Sequence, residues 1–148
     1  MYKRILVATD GSELSDKAVQ SAIALAADLK AELIALKVVP YYPQSYFEGA
    51  APIDTRAIAD VEKKWQESAQ QVVGAVVTAG AERGVTVQGL TAKSDLVSET
   101  VIKTATAQNC DLIVMASHGR NGLKRLLLGS ETQHVLTHSH IPVLVLRP

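Results

Sequence analysis

Apolar and polar residues fall along this chain in blocks whose spacing switches between strand-like and helix-like periods. Ile5 to Ala8 is a short unbroken apolar run that stops at Thr9-Asp10-Gly11-Ser12. Unbroken rather than alternating apolarity marks a strand covered on both faces, as in a parallel sheet. Ser12 then suits a helix N-cap with Glu13 and Asp16 in the first turn, and Leu14, Ala18, Ala22, Leu25 and Leu29 form one helical stripe. A second run, Leu33 to Val39, ends at Pro40, so the chain opens as strand, helix, strand, the parallel crossover unit. From Asp54 a long helical pattern sets Ile58, Val61, Trp65, Ala69, Val72 and Val76 on one face and fades at Gly80 and Gly84. That stripe reads as packing rather than as part of a cofactor site. Val85 to Leu90 alternates and predicts a third strand near a sheet edge. Ser94 predicts the cap of a helix carrying Val97, Val101, Ile102 and Ala105 and ending near Asn109. Leu112 to Met115 predicts a fourth, buried strand, Gly129-Ser130 starts a short helix to about His138, and Pro142 to Leu146 predicts the last strand. Five strands alternating with four helices, without linker, repeat or low-complexity tract, predict one α/β domain over residues 1–148. Its core is an open, doubly wound parallel sheet with helices on both faces.

Composition narrows the function classes. Hydrophobic residues make up 47% of the 148, enough for a packed core and against disorder. Lys+Arg and Asp+Glu balance at 15 each, which removes any global electrostatic case for nucleic acid or an acidic membrane. No segment reaches the run of about 18 apolar residues that a membrane span needs. The basic start, Met1 to Arg4, is not followed by an apolar run of signal-peptide length, so a cytoplasmic protein is expected. The single cysteine, Cys110, cannot form an internal disulfide or a cysteine-based zinc cluster, and its place before an apolar strand predicts a buried structural thiol. Residues 40–53 hold three prolines and four of the six aromatic residues, Tyr41, Tyr42, Tyr46 and Phe47. This loop reads either as a lid or interaction surface, or as an ordered loop packing on its own rings.

Candidate chemistry concentrates between Asp111 and Thr132. There the fourth strand breaks at Ala116-Ser117-His118-Gly119, a basic loop follows with Arg120, Lys124 and Arg125, and a helix restarts at Gly129-Ser130. Small residues at both ends of the loop allow backbone N–H groups to approach a ligand, and a helix start adds unpaired donors and a positive dipole end, which suit phosphate. Ligands of open parallel sheets bind beyond the carboxyl ends of strands where the order reverses. If the first and fourth strands are neighbours, the loop at Thr9 to Ser12 opens onto the same crevice. Asp10 could accept from a ribose hydroxyl, hold a metal through phosphate, or simply complement the helix dipole. The patterns G-x-x-x-x-G-K-[ST], G-x-G-x-x-G and G-x-S-x-G are all absent. His134 and His138 lie four apart with His140 nearby, but no Glu follows His134, and histidines at a helix C-terminus are expected for dipole reasons.

These segments together resemble the universal stress protein family. Ala116-x-x-Gly119, nine residues, then Gly129-Ser130 is similar to that family's nucleotide-binding motif, G-x-x-G, nine residues, G-[ST]. Ile5 to Ser12 resembles its first strand and loop, and Ile141 to Val145 its last strand. The resemblance implies a five-stranded parallel sheet of order 3-2-1-4-5, a dimer through the final strands, and binding of ATP or AMP. Carried over by position, Asp10 with Ala8 and Thr9 faces the ribose or adenine, and Val38 and Val39 face adenine. Gly119, Gly129 and Ser130 hold phosphates, with Met115, Ala116, Ser117, His118, Glu131 and Thr132 alongside and Arg120 adding charge. The departure is Ala116 where the motif has its first glycine, since alanine restricts positive φ and its methyl narrows the pocket.

The leading expectation is therefore an adenine-nucleotide-binding regulatory protein of the stress-response type, without catalytic residues. ATP or AMP, with or without Mg, is the expected ligand. A homodimer through residues 142–146 is expected as well, because an apolar strand at a sheet edge needs a partner. Two alternatives come from other classes. One is a slow metal-dependent ATP hydrolase or phosphotransfer protein using Asp10, magnesium and Arg120. The other is a nucleotide-independent dimeric scaffold.

Overall fold

The computed structural model describes residues 1–43, 54–119 and 128–148. Strands and helices alternate as β1 (Arg4–Ala8), α1 (Glu13–Leu29), β2 (Glu32–Val39), α2 (Thr55–Glu82), β3 (Val87–Lys93), α3 (Val97–Ala107), β4 (Leu112–Ala116), α4 (Ser130–His138) and β5 (Val143–Leu146). All strand pairs are parallel and the sheet order is β3-β2-β1-β4-β5, as the family resemblance implies. The order reverses between β1 and β4, and the loops at Thr9 to Ser12 and Ser117 to Gly119 follow their carboxyl ends.

Strand alternation divides the core into two layers. Ile5, Val7, Leu33, Ala35 and Val114 pack with Ala18, Ala22, Ile23 and Val76 under α1 and α2. Leu6, Ile34, Leu36, Ile113 and Met115 pack with Val101, Ala105 and Val135 under α3 and α4. Ile5, Leu6, Val7, Ile113 and Val114 are completely buried, which is why these strands read as unbroken apolar runs. Each such side chain contributes about 1.5–3 kcal/mol by leaving water. Asp111 ties the amino ends of the two central strands together, its carboxylate accepting from the Lys3 N–H at 2.9 Å and the Arg4 N–H at 3.1 Å.

Ser12 caps α1 as expected, accepting from the Ser15 N–H at 3.3 Å. The buried face of α1 is rotated from the expected leucine stripe: Ser15, Ala18, Val19, Ala22, Ile23 and Ala26 are buried, while Leu14, Leu25 and Leu29 flank them. Small residues let the helix lie close to the sheet centre, and the leucines then fill its margins. In α2 only Ala69, Val73, Val76 and Gly80 are buried, and Ile58, Val61 and Trp65 are half-covered. The 28-residue helix runs about 42 Å, far longer than the roughly 25 Å of β2 and β3 beneath it, and its amino-terminal half meets the end of β3 through polar contacts, Glu62 with Lys93 and Gln66 with Thr91. Ser94 does not cap α3. Leu96 holds the N-cap position without a side-chain bond, and the Ser94 hydroxyl accepts from the Leu96 N–H at 3.0 Å. The third strand also begins at Val87, later than expected, and continues to Lys93.

Tyr42 stacks on Trp65 with ring centroids 6.0 Å apart, Lys93 Nζ lies 5.0 Å from the centre of the Tyr41 ring, and the Tyr41 N–H donates to Asp95 at 3.0 Å. The start of the aromatic loop thus packs on its own chain, while Tyr46 and Phe47 lie outside the described residues. No described helix is long and apolar enough to cross a membrane.

Candidate functional site

At the end of β1 the chain makes a short turn held by its own side chains. The Asp10 Oδ1 accepts from the Ser12 N–H at 2.8 Å, and the Thr9 hydroxyl accepts from the Gly11 N–H at 3.2 Å and meets the Ser15 hydroxyl at 3.2 Å. Gly11 has a φ of 79°, which a residue with a side chain adopts only under strain. The turn fixes the Asp10 carboxylate beside the loop that ends β4: a Cβ built on Gly119 would stand 3.0 Å from Asp10 Oδ2. A side chain at Gly119 would crowd the Asp10 carboxylate, because the two loops meet there.

The second loop is joined to α4 by its backbone. Ser117 donates its N–H to the Leu146 carbonyl and accepts from the Gly129 N–H, both at 2.8 Å. Gly129 has an ordinary φ of −62°, yet a Cβ on it would lie 3.2 Å from His118 Cα and 3.4 Å from the Ser117 carbonyl oxygen. Here too a glycine is needed for close approach of backbones rather than for conformation. Ala116 remains inside β4, paired with Leu146, and it is not among the residues with positive φ. The expected conformational penalty for alanine at that position therefore does not arise. Its carbonyl accepts from the buried Thr132 hydroxyl at 2.9 Å, anchoring the first turn of α4 to the strand end.

The amino end of α4 has no side-chain cap, since Gly129 holds the N-cap position. Uncapped N–H groups and the dipole make this end attractive to an anion. Glu131, two residues beyond Gly129, accepts at its Oε2 from the Ser98 N–H at 2.7 Å. That bond supplies the first turn of α3 with the acceptor that Leu96 lacks, and it fixes the angle between the two helices.

Between these elements lies a cavity of about 640 Å³. Of the sequence-expected site residues, Ala8, Thr9, Asp10, Val38, Met115, Ala116, His118, Gly119, Gly129, Ser130, Glu131 and Thr132 line it. Val39 and Ser117 do not. Val39 lies one residue beyond the part of β2, Leu36 to Val38, that reaches the wall, and Ser117 is buried and acts through its backbone. Arg120 lies outside the described residues. Six wall residues are not anticipated by the sequence reading: Ser15, Leu36, Lys37, Val97, Val101 and Leu128. Val97 and Val101 read there as helix packing, and a lysine inside an apolar strand is the one available signal for Lys37. Its Nζ donates to the Asp10 carbonyl at 3.5 Å.

The wall thus has an apolar side (Leu36, Val38, Val97, Val101, Met115), a carboxylate at Asp10 and the helix end at Ser130. This suits a flat apolar ring joined through hydroxyls to an anion. Among the described residues no group of three or more His, Cys, Asp or Glu could hold a metal. His134 and His138 stack with ring centroids 4.0 Å apart at the other end of α4, and His138 Nδ1 donates to the His134 carbonyl at 3.0 Å.

Comparison with known proteins gives a consistent result. The model of the universal stress protein family matches residues 1–147. The chain is 32% identical to universal stress protein MJ0531 of Methanocaldococcus jannaschii over 147 residues, covering 99% of this chain and 83% of the relative. It is 30% identical to universal stress protein YxiE of Bacillus subtilis over 149 residues, covering 99% and 100%. The solved structure of MJ0577 of Methanocaldococcus jannaschii superposes with a TM-score of 0.81 at 28% identity, covering 100% of this chain and 97% of that one. A universal stress protein solved in complex with cAMP superposes with a TM-score of 0.72 at 22% identity, covering 99% and 97%. One from Archaeoglobus fulgidus, solved with dAMP, does so with 0.65 at 16%, covering 99% and 98%.

Proposed function

The chain belongs to the universal stress protein family, and we propose that it binds an adenine nucleotide, ATP or AMP, in the cavity between β1, β4 and α4, and acts as a dimeric regulatory module in the stress response. The observation that carries this reading is the uncapped end of α4 at Gly129-Ser130, facing the Asp10 turn across one cavity. The helix end and the Ser130 hydroxyl take the phosphates. Asp10 accepts from the ribose, and Val38 and Met115 flank the base. The volume of about 640 Å³ is in the range of small-molecule sites. Proteins of this fold solved with cAMP and dAMP support the ligand class.

Binding reaches the rest of the molecule through a short path. Gly129 is bonded to Ser117, and Ser117 to Leu146 of β5, so occupancy of the phosphate cradle bears on the strand through which the homodimer forms. Calorimetric titration with ATP, ADP and AMP, with and without magnesium, tests the reading. Saturable binding is expected, weakened at least about tenfold by Gly129→Ala, whose methyl pushes the His118 backbone out of the cradle. No binding of any of the three at millimolar concentration would sink the proposal.

A further inference from the structure

Lys37 is a charged wall residue with no role in the binding mode proposed above. It is the first residue of β2 beyond the last β1 pair, Ala8 with Leu36. β1 has turned away into the Asp10 loop at that point, so no strand covers Lys37 on that side. By alternation its stem leaves the sheet on the side of Ala35, and its length carries the ammonium over the end of β1 to the Asp10 carbonyl at 3.5 Å. Among the described residues that line the cavity, Lys37 is the only lysine or arginine, set against the carboxylates of Asp10 and Glu131. Both carboxylates accept from a backbone N–H, Glu131 from Ser98 and Asp10 from Ser12. Asp10 stands between the two loops, where an anionic ligand meets its charge.

We propose that Lys37 is a specificity-determining residue: its ammonium, seated on the Asp10 turn, offsets the Asp10 charge and makes the cavity select phosphorylated adenosine over adenosine itself. The inference rests on the nucleotide reading above and adds the residue that sets its charge preference. A half-buried cation acts on every anion in the same cavity through a medium less polarisable than water, so its effect scales with ligand charge. A purely structural lysine, by contrast, would affect all ligands alike by shifting the turn.

The test measures affinities of adenosine, AMP and ATP for the wild-type chain, Lys37→Met and Lys37→Arg at low and high salt. Lys37→Met is expected to weaken AMP and ATP about tenfold while adenosine changes less than about threefold, and the gap should shrink as salt rises. Lys37→Arg keeps the charge and is expected to remain within about threefold of wild type for all three. Equal weakening of adenosine and AMP by Lys37→Met would make Lys37 a prop for the turn and overturn the proposal. So would unchanged AMP affinity. A wild-type chain that binds none of the three would fail at the earlier step, taking both readings with it, and that outcome is distinct from the other two.

Discussion

A single side chain shows how burial sets chemistry in this molecule. Cys110 is 6% exposed at the entry to β4, and burial pushes its thiol above the ordinary value, with Asp111 adding to the shift and the Arg4 guanidinium opposing it. The thiolate is the reactive form, so the folded chain should resist thiol reagents. Labelling with a chromogenic disulfide near neutral pH is expected to be at least about tenfold slower in the native protein than in denaturant, with the native rate-versus-pH curve displaced to alkaline pH. In the window between the unfolded and folded values the folded chain holds a proton that the unfolded chain has lost, so this group's contribution to stability falls as pH rises there. Equal native and unfolded labelling rates would contradict the buried assignment. The buried thiol was legible from the sequence, because a small apolar side chain before an unbroken apolar run has one economical place to go. Lys37 was not. A lysine within Leu33 to Val39 signals an interruption, but that it reaches over the end of β1 depends on a sheet order that residue periodicity does not specify.

Elements obeyed the sequence in kind and departed from it in face and end. All five strands and four helices occur in the order the sequence predicts, and β1, β2 and β4 are legible as short apolar runs bounded by turn residues. Faces were harder, because a stripe of leucines and a stripe of alanines are both consistent with the spacing of α1, and the sheet decides between them. Caps were harder still: the partner of the α3 amino end is Glu131, 33 residues away from Ser98. The two interior glycines of α2 show what only packing can tell. Gly74 is exposed, and a methyl added there would meet nothing within 4 Å, whereas a methyl at Gly80 would collide with the Val87 side chain of β3. Gly74→Ala is therefore expected to stabilise the protein by about 0.5–1 kcal/mol through helix propensity. Gly80→Ala should cost about 1–3 kcal/mol through overpacking, less what propensity returns. Urea denaturation of the two variants against wild type reads both signs, and a stabilised Gly80→Ala would show that α2 can lift from β3 at no cost.

At the scale of the whole molecule the question is what covers β5. Among the described residues the strand pairs with β4 on one side only, and Leu144 stands at that sheet edge with 41% of its surface exposed. An apolar edge with unpaired backbone groups is a template for another strand, and a second copy of the same strand closes it with two-fold symmetry. The homodimer proposed above predicts a stability that depends on protein concentration, as for any association linked to folding. Leu144→Asp would set two carboxylates near the symmetry axis and should convert the dimer to monomer by sedimentation equilibrium. The same variant should retain nucleotide binding to within about threefold, because Leu144 is not among the residues that line the cavity. A wild-type chain that sediments as a monomer at every concentration would remove the dimer. Loss of nucleotide binding together with dissociation would instead mean that the path from Leu146 through Ser117 to Gly129 transmits the state of the edge strand to the cradle. The hydrogen bonds along that path make this coupling measurable in either direction, since a nucleotide that tightens the dimer must itself be bound more tightly by it.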